Sequence, residues 1–177
     1  MKVYVVFIAM TVSISMAAQN KVYVNNKQVS ENTIHQLKKT YGIAIANGSY
    51  WYDNICGAWG YSGGKTMGFI PARLPIGGRL QSNASNGRSG VFVNGRQLPF
   101  ADVSALKRII NVVPGRFWLD HKGNGGYEGM PPTFNLIYLS RKSGGSSFYR
   151  NSYTGIGSGS SGGTSYVIGK GWSVITN

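Results

Sequence analysis

An eight-residue string occurs twice in this chain. Val22-Tyr-Val-Asn-Asn-Lys-Gln-Val29 returns as Val91-Phe-Val-Asn-Gly-Arg-Gln-Leu98, and each copy runs on into a helix-like stretch and an aromatic strand ending in aspartate. That strand is Gly48-Ser-Tyr-Trp-Tyr-Asp53 in the first copy and Gly115-Arg-Phe-Trp-Leu-Asp120 in the second. Gly60-Tyr-Ser-Gly63 and Gly126-Tyr-Glu-Gly129 follow at nearly the same spacing. A tandem duplication restricts the fold to two similar units side by side, and each copy serves as a control on the other. Positions kept in both are expected to hold the scaffold; positions that differ are expected to carry specialised roles.

Each unit reads as ββαββ. The Asn-Asn or Asn-Gly pair between two short β-prone runs predicts a hairpin closed by a type I′ turn, whose two central residues need positive φ. Ser30 can cap a helix with Ile34, Leu37 and Tyr41 on one face. Pro99 opens a second one with Val103, Leu106 and Ile109 or Ile110. The aromatic strands come next, each followed by a glycine-bearing turn and a return strand. The fold class expected is α+β, a tandem duplication of a ββαββ unit sharing one core and followed by a Gly/Ser-rich tail. The boundaries expected are a signal peptide over 1–18 and a duplicated domain over 19–140. Within the domain, repeat one spans 21–64, the connector 65–90 and repeat two 91–130. The tail covers 141–177 and ends in β-prone Ser165-Tyr-Val-Ile168 and Trp172-Ser-Val-Ile175, a candidate strand pair.

Lys2, the apolar run from Val3 to Met10 and the small residues Ser15, Ala17 and Ala18 have the layout of a secretory signal peptide, too short to span a bilayer comfortably. This predicts an extracellular or periplasmic protein with no transmembrane segment in the mature chain. Eighteen Lys and Arg face five acids, a formal charge of +13, which points to anionic surroundings. An anionic polysaccharide or extracellular nucleic acid is the partner expected, with self-assembly through the tail as a further option. Cys56 is the single cysteine, so there is no intrachain disulfide. With two histidines and no compact ligand spacing, neither metal nor cofactor is expected. Gly60-Tyr-Ser-Gly-Gly-Lys-Thr66 lacks the spacing of a phosphate-binding loop.

Differences between the copies nominate a site. Tyr52 becomes Leu119, Trp59 becomes Gly125, and Ser62 becomes Glu128. Tyr52, Trp59 and Glu128 are therefore candidate ligand-binding residues, whereas Trp51 and Trp118, kept in both copies, read as core. Lys38, Lys39, Lys107 and Arg108, in the late turns of the two helices, are the candidate polyanion contacts. Asp53 and Asp120 could be paired carboxylates, but an aspartate where a strand meets a turn commonly closes an Asx-turn. Cys56 reads as a turn cysteine: His35 or His121 could serve as a base, but nothing in the sequence brings either within reach of it or supplies an oxyanion hole.

The two blocks, the connector with Phe69-Ile-Pro71 and Leu74-Pro-Ile-Gly-Gly78, and the passage from Asn83 to Arg96 together resemble an uncharacterised family of small secreted, mostly bacterial proteins. The resemblance spans Val22 to Leu136, rests on duplicated VNG, GRxW-D and GxEG-type blocks, and implies no catalytic residue. Locally, the strand Trp51-Tyr-Asp53, followed by a glycine, is similar to a GYF-type peptide-binding motif. The function expected is a secreted, basic, non-enzymatic binding protein for an anionic envelope or extracellular polymer. The alternatives are a structural subunit of an extracellular filament or surface layer assembling by strand addition, and a glycan or cell-wall hydrolase using Glu128 with an aspartate.

Overall fold

The computed structural model describes the backbone of residues 21–144, 148–151, 156–161, 164–169 and 172–176, and the side chains of residues 21–142. The segment expected to be a signal peptide lies outside the described residues.

In the first repeat β1 (Val22–Val24) and β2 (Lys27–Gln28) form the hairpin. Helix α1 (Glu31–Tyr41) crosses to β3 (Gly48–Tyr52), and β4 (Ala58–Tyr61) and β5 (Gly68–Phe69) complete a sheet of order β2-β1-β3-β4-β5. The second repeat has β6 (Val91–Val93), β7 (Arg96–Gln97), α2 (Phe100–Leu106), β8 (Gly115–Leu119), β9 (Asn124–Tyr127) and β10 (Phe134–Asn135), in the order β10-β9-β8-β6-β7. Read from its edge hairpin, each sheet has the same order, with the one parallel pair, β1 with β3 or β6 with β8, bridged by the helix. The fold is thus mixed α/β with a duplicated five-stranded unit. Its last strand falls in the expected connector in one case and beyond residue 130 in the other.

Helix α3 (Leu136–Gly144) follows, and the tail holds β11 (Phe148–Asn151), β12 (Ile156–Ser161), β13 (Thr164–Gly169) and β14 (Trp172–Thr176) as an antiparallel meander.

Local chemistry explains the elements. Asn25 and Asn26 have φ of 47° and 63°, Asn94 and Gly95 φ of 50° and 84°, the left-handed pair that a type I′ turn demands. Ser30 Oγ accepts the Thr33 amide at 3.2 Å to start α1, and Gly42, at φ 67°, ends it. Helix α2 is shorter than its apolar stripe suggests. Pro99 provides no capping oxygen and the helix stops at Leu106, so Lys107 and Arg108 lie just beyond it and Ile109 and Ile110 fall in a turn. The β-branched Ile109, Ile110, Val112 and Val113 favour extended backbone, and Pro114 forces its predecessor out of the helical region.

The expected single core is divided into three apolar clusters. In the first, Val22, Val24, Tyr50 and Tyr52 on one face of the first sheet pack with Leu37 of α1 and with Leu74, Ile70 and Ile76 of the connector. In the third, Val91 and Phe117 of the second sheet pack with Val103 and Leu106 of α2. The middle cluster joins the repeats: Trp51, Cys56 and Ala58, on the opposite face of the first sheet, meet Leu119, Val93 and Phe134 of the second. Leu119 is the counterpart of Tyr52, and Tyr52 faces away from this junction. The back of sheet one therefore packs on the front of sheet two, a heterologous contact in which equivalent residues have different surroundings. Trp51 is 1% exposed, whereas its counterpart Trp118 is only half-buried, a difference that equal core roles did not anticipate.

Candidate functional site

Of the candidate ligand residues, Tyr52 and Trp59 are brought together as cross-strand partners of β3 and β4, packed in the first apolar cluster. Tyr52 is buried; its hydroxyl donates to the Pro71 carbonyl at 2.6 Å and accepts the Leu74 amide at 3.2 Å, fastening the connector to sheet one. Burial pushes its pKa up to about 12, against the Leu74 hydrogen bond, which lowers it. Trp59 is half-buried and ringed by Tyr50 and Tyr61, at centroid distances of 6.1 and 6.3 Å. Its loss in repeat two has a packing cause. Trp59 lies opposite Gly68 across the ladder, whereas Gly125 lies opposite Phe134, so the aromatic has moved to the neighbouring strand. A Cβ on Gly125 would come within 2.4 Å of the Phe134 ring. Glu128 is exposed and paired with Arg116. Lys38 and Lys39 are exposed in the last turn of α1, and Lys107 and Arg108 are exposed after α2.

Polar side chains that escaped attention in the sequence hold the junction. Asn25 and Asn94 each continue the parallel ladder by one rung with their amide groups. Asn25 binds Tyr52 N at 2.9 Å and Tyr52 O at 2.8 Å, and Asn94 binds Leu119 N at 3.0 Å and O at 2.9 Å. The remaining donor differs. Asn25 gives it to the Gly78 carbonyl at 3.0 Å, whereas Asn94 gives it to the Asp53 carboxylate at 2.7 Å, tying hairpin two to the end of β3. Asp53 also accepts the Ile55 amide at 2.9 Å, closing an Asx-turn, and the Cys56 thiol at 3.2 Å. Burial and then the neighbouring carboxylate push the Cys56 thiol far up, so it is protonated and sealed rather than nucleophilic.

A second knot lies beside it. The Arg96 guanidinium stacks 3.8 Å from the Trp51 ring centroid and donates to Asp102 at 3.3 Å, Ser85 at 2.9 Å and Thr66 at 3.2 Å. Asp102 in turn accepts the Thr66 amide at 3.0 Å and its hydroxyl at 2.7 Å. Arg96 is 4% exposed; burial pulls its pKa down and Asp102 opposes the shift. Its counterpart Lys27 is exposed, so this Lys-to-Arg difference was the sequence signal that could have located the junction.

Asp120 closes the other predicted Asx-turn. Burial alone would raise its pKa, but hydrogen bonds from the Asn124 side chain and from the Asn124 and Lys122 amides hold it below the usual range. Of the five acids, Asp53, Asp102, Asp120 and Glu128 are thus engaged, and only Glu31 at the start of α1 has no side-chain partner. Among the described residues, Lys21, Lys27, Lys38, Lys39, Arg79 and Arg88 are all exposed.

Among the described residues, an open cleft of about 280 Å³ lies between the first hairpin turn, the Ser62-Gly63 turn and the loop from Gln81 to Asn86. Asn26, Ser62, Asn83 and Asn86 line it with neutral polar groups. A more open depression of about 450 Å³ shares Asn83 and Asn86 with the cleft and adds Gly87 and Arg88.

The described residues contain no cluster of His, Cys, Asp and Glu able to hold a metal ion, and no helix among them is long and apolar enough to cross a membrane. No family model and no solved structure matches the chain. Two curated Arabidopsis thaliana proteins do. Extra-large guanine nucleotide-binding protein 2 is 29% identical over 125 residues, 68% of this chain and 14% of the relative. Extra-large guanine nucleotide-binding protein 1 is 34% identical over 93 residues, 51% of this chain and 10% of the relative. The chain thus spans about a seventh or less of the relatives it matches. These plant matches overturn the resemblance to a bacterial secreted family, to which nothing found here connects the chain. The likeness to a GYF-type motif fails for a physical reason as well: Trp51, Tyr52 and Asp53 are 1–2% exposed and leave no aromatic surface for a peptide.

Proposed function

We propose that this chain is a non-enzymatic binding protein whose basic surface takes an extracellular polyanion. The observation that carries the reading is the use made of the carboxylates. Four of the five acids are engaged in ion pairs or turns, so the exposed lysines and arginines act on solvent with little internal compensation. A polyanion neutralising several of them would release counterions and bind in a strongly salt-dependent way. The signal-like first eighteen residues support an extracytoplasmic setting, and the short match within much longer relatives supports a portable module.

The relatives are named for guanine-nucleotide binding, but a nucleotide site has little support in this chain. Gly60–Thr66 joins two strands with no helix after it, and the Thr66 hydroxyl, which would face a metal-bound phosphate, is committed to Asp102. Retention on immobilised heparin, eluted with a salt gradient, tests the proposal. The K38E/K39E/K107E/R108E variant should elute at markedly lower salt while melting like the parent, since these side chains are solvent-exposed. Unchanged retention of this folded variant removes those four contacts, and a parent that flows through at low salt removes the function.

A further inference from the structure

We infer that the amide-lined cleft, together with the depression at Arg88, is a saccharide site: a neutral pyranose ring in the cleft and an acidic substituent at Arg88. The inference deepens the polyanion reading and rests on it, naming the polymer as a glycan.

The cleft offers the right chemistry. Asn26, Ser62, Asn83 and Asn86 present amides and a hydroxyl whose side chains have no hydrogen-bond partner among the described residues, and the lining holds neither carboxylate nor cation. Amides offer a donor and an acceptor side by side, which suits vicinal hydroxyls, each of them both donor and acceptor. At about 280 Å³ the cleft falls just below the roughly 300–1,000 Å³ of common small-molecule sites, which limits it to one ring.

The walls are also held in place before anything binds. Gly63 N donates to Ala84 O at 2.7 Å, Asn86 N to Asn83 O at 2.9 Å, and Gly78 N to Val24 O at 3.1 Å. Ser85 Oγ and Gln97 N fasten the loop to β7, through Gln97 O at 2.8 Å and Ser82 O at 2.8 Å. A Cβ on Gly87 would lie 2.2 Å from Gln97 O, so the loop is pressed against that strand. Because the backbone that carries these amides is already fixed, binding has only their side chains to order. Because the two depressions share Asn83 and Asn86, a ring seated on these amides lies next to Arg88, whose guanidinium can fork onto a carboxylate or sulfate.

The test uses a matched pair of ligands, an α-1,4-linked galacturonate trimer and its carboxyl-reduced, neutral counterpart, titrated calorimetrically against the full chain. Asn86 has φ 49°, so N86G removes the amide without straining the turn. N83A/N86G should weaken both ligands by about tenfold, as expected for two or more hydrogen bonds. R88Q should bring the acidic trimer to within about twofold of the neutral one and leave the neutral one unaffected. A folded N83A/N86G that binds both trimers like the parent overturns the saccharide site, as does a parent that binds neither. Heparin retention of the same proteins separates this from the broader reading. If retention persists while trimer binding is absent or indifferent to these variants, the cleft is wrong and the basic surface stands; if the parent is not retained, the basic surface is wrong too.

Discussion

Replacing Asn94 by glycine should weaken the fold more than the same change at Asn25. Both residues sit at positive φ, 50° and 47°, so glycine is accommodated at either site and its backbone cost largely cancels in the comparison. Each variant loses two hydrogen bonds to the neighbouring strand's backbone, worth roughly 0.5–1.5 kcal/mol apiece. The third bond decides the difference. At Asn25 it runs to a neutral carbonyl, Gly78 O; at Asn94 it runs to the carboxylate of Asp53, itself 2% exposed, and a bond to a charged group is worth about 1.5–3 kcal/mol. N94G should therefore cost roughly 3–6 kcal/mol and N25G about 1–2 kcal/mol less, within a total stability of about 5–15 kcal/mol for an ordinary domain. Urea unfolding at neutral pH measures both. Equal midpoints, or a larger loss at Asn25, would refute the view that the Asn94–Asp53 bond holds the repeats together.

The tryptophans should also separate. Trp51→Ala removes a ring buried under Arg96 and should cost about 3–5 kcal/mol, whereas Trp118→Ala, at a half-buried site, should cost less than half as much in the same urea experiment. Alkaline pH should destabilise the protein in two steps. The unfolded Cys56 thiol ionises near its ordinary 9.0 and the unfolded Tyr52 phenol near 10.0, while burial keeps both protonated in the fold. The unfolded state then binds fewer protons, so stability is complete below pH 9.0, falls as pH rises through it, and falls again between 10.0 and about 12. Cys56→Ser should abolish the first step only, and an identical pH profile in that variant would contradict the assignment.

Much of each unit was legible because its determinants are local. A type I′ turn needs Asn-Asn or Asn-Gly, a helix start needs a residue such as Ser30, and the apolar period of α1 marks the face carrying Leu37. The Asx-turns at Asp53 and Asp120 were legible for the same reason. The end of α2 was less so, because the stripe through Ile109 and Ile110 has helical spacing while the β-branched side chains and Pro114 oppose a helix there. How the units stack leaves almost no local mark. Nothing around Trp118 announces that it lacks the cover that Arg96 gives Trp51.

That asymmetry changes what a difference between the two copies means. If two repeats met through equivalent surfaces, a difference between them would have no architectural purpose and would point to function. Here the back of one sheet meets the front of the other, so equivalent residues face different neighbours and must differ for the chain to fold. Tyr52 holds the connector where Leu119 meets repeat one; Trp59 gives way to Gly125 because Phe134 takes the space; Lys27 is solvated where Arg96 is buried against Asp102. Differences between the copies therefore trace the junction first. Candidates for binding are better sought where neither the repeat nor the junction imposes a residue. Asn83 and Asn86 meet that condition: they lie between the repeats in sequence, their side chains have no partner among the described residues, and the loop that presents them is fastened by other groups.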